Sequence, residues 1–120
     1  MRLLAIGDIN GESGREFVYN TLGRILKKYN IDFCVANAEN SAEPNGITHN
    51  IANTLIGCGV DVITMGNHTF DNKESASVLE DNSRVIRPLN FPSEAEGMGY
   101  TVCDTGRIKI AVGNASGQIN

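Results

Sequence analysis

Three short segments of this 120-residue chain carry side chains able to bind cations and move protons. They are Gly7-Asp8, Asn37-Ala38-Glu39-Asn40 and Met65-Gly66-Asn67-His68. Together they offer carboxylates, carboxamides and one imidazole with no thiolate close by. That donor set suits hard or borderline divalent cations such as Mn, Fe or Mg and argues against a structural zinc. A carboxylate shared by two such ions can hold them about 3.5–4 Å apart, the arrangement that activates a water and stabilises in-line displacement at phosphorus. Glu39, in the middle segment, is the natural bridge. His68 would then face the substrate, as a proton donor to the leaving oxygen or a stabiliser of developing charge.

Each segment taken alone has an ordinary explanation. Asp8 after a glycine suits an Asx turn or a helix cap, Glu39-Asn40 suits a solvated loop, and Asn67-His68 with Thr69 or Asp71 suits a helix start. Their shared position is what separates them from chance. Each follows a short apolar run and precedes a helical pattern, and in an open α/β sheet ligands bind beyond the carboxyl ends of the strands. Gly7, Gly11 and Gly14 raise a rival, a backbone cradle for phosphate at a helix N-terminus. Their spacing fits neither GxGxxG nor a P-loop, and Asp8 would repel a phosphate that arrives without a cation. Arg15 is read as a solvated helix residue in preference to a phosphate ligand, and His49 as a surface or half-buried residue without a partner.

The elements that must position these residues are legible in the hydrophobic period. The first unit is a strand over Arg2 to Gly7, a turn from Asp8 to Gly14, and a helix to about Tyr29 with Val18, Leu22, Ile25, Leu26 and Tyr29 on its apolar face. The second is a strand from Ile31 to Asn37, a polar loop from Ala38 to Gly46, and a helix carrying Ile47, Ile51, Leu55 and Ile56, ended by Gly57 and Gly59. The third is a strand from Val60 to Met65, a turn from Gly66 to Asp71, and a short helix from Asn72 to about Glu80. Val85-Ile86 is a brief strand. After a loop from Leu89 to Gly97, Tyr100-Thr101-Val102 and Ile108 to Val112 alternate across Asp104-Thr105-Gly106, a hairpin signal. Repeated βαβ units with right-handed crossovers give an α/β fold, a parallel sheet with helices on its faces and a C-terminal β-hairpin.

Length and composition narrow the function. The chain is one domain by size, and 41% hydrophobic with 20% charged residues is ordinary for a globular protein. A net charge of −4 gives no footprint for bulk nucleic-acid binding. The apolar runs are far short of the roughly 20 residues of a membrane span. No signal peptide is evident after Met1, so a cytoplasmic location is expected. Cys34, Cys58 and Cys103 match neither a disulfide framework nor a CxxC motif and read as reduced packing residues.

Gly7-Asp8, Asn37-Ala38-Glu39-Asn40 and Gly66-Asn67-His68, in that order and spacing, resemble the calcineurin-like metallophosphoesterases. Gly14-Arg15, Ile63 to Thr69 and Arg87-Pro88-Leu89-Asn90-Phe91-Pro92 are similar to their bacterial branch of 2′,3′-cyclic-nucleotide phosphodiesterases. The resemblance runs through the whole chain. It implies part of that family's α/β sandwich and a dinuclear site of Fe or Mn, with Asp8, Glu39, Asn40 and Asn67 as ligands, Glu39 bridging and His68 catalytic. The substrate it implies is a small cyclic nucleotide or related phosphoester. Members of the family are longer, and their second half supplies further histidines. This chain has only His49 and His68, so residues 1–120 are expected to form a single domain lacking that half, with an incomplete site. The alternative is a catalytically silent binding module. Loss of the second half is also expected to uncover apolar surface near the terminal hairpin, and with it a homo-oligomer.

Overall fold

Runs such as Leu3 to Ile6 and Phe33 to Asn37, rich in branched and small apolar residues, pack against helices on one face and pair edge to edge. The computed structural model describes residues 1–117. In chain order it contains β1 (Leu3–Ile6), α1 (Gly11–Lys28), β2 (Phe33–Asn37), α2 (His49–Gly57), β3 (Val62–Thr64), α3 (Ser75–Asp81) and β4 (Val85–Ile86). The hairpin of β5 (Tyr100–Asp104) and β6 (Lys109–Gly113) follows. Strands β1 to β4 form one parallel sheet in sequence order, with Ala5 opposite Val35, Ala36 opposite Ile63 and Thr64 opposite Ile86. The expected α/β fold with a terminal hairpin is therefore present.

Successive right-handed crossovers that always step the same way place every helix on the same face. The buried residues sort accordingly. Cys34, Ala36, Ile63 and Val85 point to the helix side, where they meet Val18, Leu22, Ile51, Leu55 and Val78. Phe33, Val62 and Ile86 point the other way and are covered by Cys103, Ile110 and Val112 of the hairpin. One face of the sheet thus carries helices and the other carries β5–β6. Edge strand β1 is not covered on the hairpin side, and Leu3 stays 53% exposed. Leu89, Met98, Tyr100, Val102 and Ile108 are exposed apolar residues in and beside the hairpin.

Element boundaries moved where local polar chemistry intervened. Helix α1 starts at Gly11 rather than after Gly14, because the Gly14 N–H already donates to the Asn10 carbonyl at 3.2 Å. Helix α2 leaves Ile47 outside, since the Thr48 hydroxyl accepts from the Ile51 N–H at 3.2 Å and caps the helix. Helix α3 begins at Ser75 because the Asn72 side chain takes the Glu74 N–H at 2.9 Å in a preceding turn. Among the described residues no helix is long and apolar enough to cross a membrane.

Ile63 is fully buried at the centre of the helix-side core. Ile63→Ala should therefore cost about 2–5 kcal/mol, whereas Leu3→Ala, on the uncovered face, should stay within about 0.5 kcal/mol. Urea unfolding of the two variants checks the contrast, and equal losses would contradict the layer assignment.

Candidate active site

Parallel pairing brings the carboxyl ends of β1, β2 and β3 to one edge, and the backbone ladder continues just past them. The Ile9 N–H donates to Asn37, that of Ala38 to Thr64, and that of Met65 to Ile86, each at 3.0 Å. The three turns therefore leave the sheet side by side. The Gly11 N–H adds a 2.9 Å bond to the Asn40 carbonyl, tying the first turn to the second.

Side chains close the same gaps. The Asn40 carboxamide donates to Asp8 Oδ1 at 2.9 Å. Glu39 Oε2 accepts the backbone N–H of His68 at 3.0 Å, while Oε1 takes a 3.3 Å bond from the Asn37 carboxamide. The Glu39 carboxylate lies so close over Gly66 that a Cβ there would overlap it, which gives the glycine before Asn67-His68 a steric reason. Asn67 is exposed, between the glycine under that carboxylate and the residue whose N–H binds it, and makes no side-chain hydrogen bond among the described residues. His68 Nδ1 lies 2.6 Å from Asp71 Oδ2 and 3.3 Å from the Asn45 carboxamide nitrogen. Asp8, Glu39, Asn40, Asn67 and His68 thus all stand on turns at one sheet edge.

The loop from Ala38 to Gly46 is folded on itself rather than merely solvated. The Ser41 hydroxyl donates to the Ala38 carbonyl at 2.7 Å, and the Gly46 N–H to that of Glu39 at 2.6 Å. Gly46 has φ +79°, and a Cβ on it would collide with Asn72 and Ser75, so only glycine fits where this loop meets the α3 region. Arg15 is half-buried and engaged with the chain rather than fully solvated. Its guanidinium donates to the Ser41 carbonyl, stapling α1 to the loop. The rival phosphate cradle also fails, because the Gly11 and Gly14 amides are already spent on Asn40 and Asn10. His49 does have a partner, Ser77 at 2.9 Å, with Asp81 4.0 Å from the same ring nitrogen.

Asn45 and Asn114 are neighbours of the site that the sequence did not single out, and Asp71 is one it offered only as part of a helix start. The Asn114 carboxamide donates to the Met65 carbonyl, just before Gly66, while its Oδ1 is buried without a partner among the described residues. A His-x-x-Asp spacing inside a turn was the available signal for Asp71. Nothing in the sequence linked Asn114 to Met65, 49 residues away. The thiols stay out of this chemistry: burial pushes Cys34 up to about 11, with the Asp61 and Cys58 charges adding, and raises Cys58 and Cys103 too. The hydrogen bond from His68 first, and that from Asn45, hold Asp71 below its ordinary value.

Among the described residues no three His, Cys, Asp or Glu side chains gather into one metal cluster. The donors present are instead two carboxylates, each hydrogen-bonded by its own carboxamide, Asp8 by Asn40 and Glu39 by Asn37, an oxygen-rich set that fits part of a hard cation's shell. Comparison with solved structures finds the same α/β architecture in other proteins. The chain matches a hypothetical protein from Thermus thermophilus with a TM-score of 0.89 and 34% identity, over 98% of this chain and 46% of that one. It matches a novel phosphatase from Mycoplasma pneumoniae with a TM-score of 0.86 and 33% identity, over 96% of this chain and 42% of the other.

Residues 4–120 match the model of the YmdB-like protein family, and the chain belongs to that family. It is 40% identical over 118 residues to the 2′,3′-cyclic-nucleotide 2′-phosphodiesterase of Bacillus subtilis strain 168, covering 98% of this chain and 45% of that relative. The chain therefore spans about half the length of the relatives it matches.

Because only the far end of a flexible side chain blocks a Cβ at position 66, Gly66→Ala should expel the Glu39 carboxylate rather than unfold the protein. The expected result is a stability loss under about 1 kcal/mol together with faster hydrogen exchange at the His68 amide. An unchanged His68 amide would mean that Glu39 does not hold this turn.

Proposed function

We propose that this chain supplies part of the active site of a metal-dependent phosphodiesterase that hydrolyses 2′,3′-cyclic nucleotides or related small phosphoesters. The observation that carries the reading is the linkage of three strand-end turns through Asp8–Asn40 and Glu39–His68. The name of the Bacillus subtilis relative supports the substrate class. Asp8, Glu39, Asn40 and Asn67 would hold divalent cations, Fe or Mn by the resemblance or Mg by donor hardness, with Glu39 as the bridge. Such ions, when bound, would activate a water for attack at phosphorus. The chain's own residues then have separate tasks. Asn40 orients the Asp8 carboxylate, Glu39 fixes the turn of Asn67 and His68, and His68 gives a proton to the leaving oxygen.

Two cations held close together repel one another, and Asp8 and Glu39 are the only carboxylates among these four residues. The 120-residue chain should therefore hold at most one ion, weakly. A single ion cannot clamp both the attacking and the leaving oxygen, and loss of even one transition-state contact costs on the order of 10²–10³ in rate. Electron paramagnetic resonance should show up to one weakly bound Mn per chain, lost in Asp8→Ala, with hydrolysis of 2′,3′-cyclic AMP near background. Robust turnover abolished by Glu39→Ala or His68→Ala would overturn the incomplete-site part and mean that a second chain completes the site. A chain that binds no Mn would favour the second reading, a silent binding module.

The uncovered apolar residues of the hairpin region, Tyr100, Val102 and Met98 among them, support a homo-oligomer. Light scattering should give at least twice the 12.9 kDa chain mass, and a monodisperse monomer would contradict the assembly.

A further inference from the structure

The sheet edge that carries the candidate site also carries a pair of aromatic rings. Phe70 lies two residues beyond His68 in the turn after β3, and Phe91 lies in the loop after β4. Strands β3 and β4 pair in parallel, and the Met65 N–H donates to the Ile86 carbonyl at 3.0 Å, so the two segments leave the sheet side by side. The ring centroids stand 6.2 Å apart with the planes tilted by 33°, within the range of a favourable aromatic pair. Most such pairs sit in a core. This one belongs to neither core layer, for Phe70 is 40% exposed and Phe91 half-buried. The backbone under both rings is fixed. Thr69, just before Phe70, is fully buried with its hydroxyl on the Gly66 carbonyl. Asn90, just before Phe91, is tied to Ser116 by two hydrogen bonds, donating to its carbonyl at 2.7 Å and accepting its N–H at 2.9 Å. Rings held by their own backbone lose little freedom when a flat ligand covers them.

We propose that Phe70, backed by Phe91, is the platform on which the base of a cyclic nucleotide stacks while its phosphate lies at Asn67 and His68. The inference rests on the phosphodiester reading and adds to it the part that recognises the base. In a 2′,3′-cyclic nucleotide the base is borne by the ribose carbon next to one that carries a phosphate oxygen, so base and phosphate must be bound close together. Successive Cα atoms are about 3.8 Å apart, which keeps Phe70 within about 7.6 Å of His68 along the chain. Every base offers a π face, so stacking tolerates any of them. The Asn90 carboxamide, next to Phe91 in sequence, engages Ser116 through both its oxygen and its nitrogen, a pattern that holds the loop rather than reading a base edge. The platform therefore selects a nucleotide over a simple phosphoester without choosing among bases. Phe17, 67% exposed on α1 in the groove beside Gly7 and Asp8, is the competing ring. It has no second ring behind it among the described residues and shares no turn with His68.

NMR titration of the 120-residue chain with Mg²⁺ present tests this with two probes, 2′,3′-cyclic AMP and the methyl riboside 2,3-cyclic phosphate, which has a methoxy group in place of the base. The nucleotide should shift the ring protons of Phe70 and Phe91 and bind more tightly than the base-free probe, and 2′,3′-cyclic CMP should move the same rings. Phe70→Leu, which keeps an apolar side chain in the turn, should weaken the nucleotide by about 5- to 150-fold, down towards the affinity of the base-free probe. Phe70→Trp, which keeps a π face, should retain the nucleotide. Unmoved Phe70 and Phe91 rings at millimolar nucleotide, ring shifts centred on Phe17, or equal affinity for the two probes would overturn the platform. The phosphodiester reading is judged on other signals, the Asn67 and His68 amides, which the base-free probe should move. Rings that respond while those amides stay still would support the platform and contradict the phosphodiester reading; the reverse pattern would do the opposite.

Discussion

The Glu39 carboxylate joins the second strand-end turn to the third, and the candidate site depends on that joint. One oxygen takes the His68 N–H and the other a bond from Asn37, with the Gly66 backbone pressed beneath. A carboxylate accepting a backbone N–H forms a charge-assisted bond, stronger than its neutral counterpart. The joint is possible only because β2 and β3 run parallel in adjacent positions, with Asn37 opposite Thr64, so that both turns leave the sheet at the same height. The parallel order follows in turn from apolar runs joined by helical crossovers. Packing thus sets the geometry, and a few polar contacts refine it.

The same arrangement explains what the chain holds and what it does not. Carboxamides from Asn37 and Asn40 donate to Glu39 and Asp8, a solution that orients carboxylates without neutralising them. Two arginines nearby are already engaged, Arg15 with the Ser41 carbonyl and Arg87 with the Pro88 and Ala95 carbonyls. Relatives about twice as long have further chain in which to place additional ligands.

Much of the fold was legible because its signals are local and periodic. The strand around Val62–Thr64, the α1 stripe of Val18 and Leu22, and the hairpin around Asp104-Thr105-Gly106 all read directly from pattern. Boundaries were less legible, because a single side-chain bond such as Thr48 to Ile51 or Asn72 to Glu74 moves a helix start by a residue or more. The convergence of Asp8, Glu39, Asn40, Asn67 and His68 on one edge followed from strand-end placement. The tasks of Arg15, Asp71 and Asn114 did not, because each is set by contacts that no spacing rule encodes. The placement of all three helices on one face was implicit in the sequential strand order, which becomes visible only in the sheet.

The three turns at one sheet edge are proposed to make a single cation site. Its most direct measurement is paramagnetic broadening of the amide spectrum by substoichiometric Mn²⁺. The amides of Asp8, Glu39, Asn40, Asn67 and His68 should broaden together and first, while those of Asp32, Asp61 and Asp104 at the opposite end of the strands stay sharp. Broadening centred on that opposite end, or spread evenly over the surface acids, would contradict it.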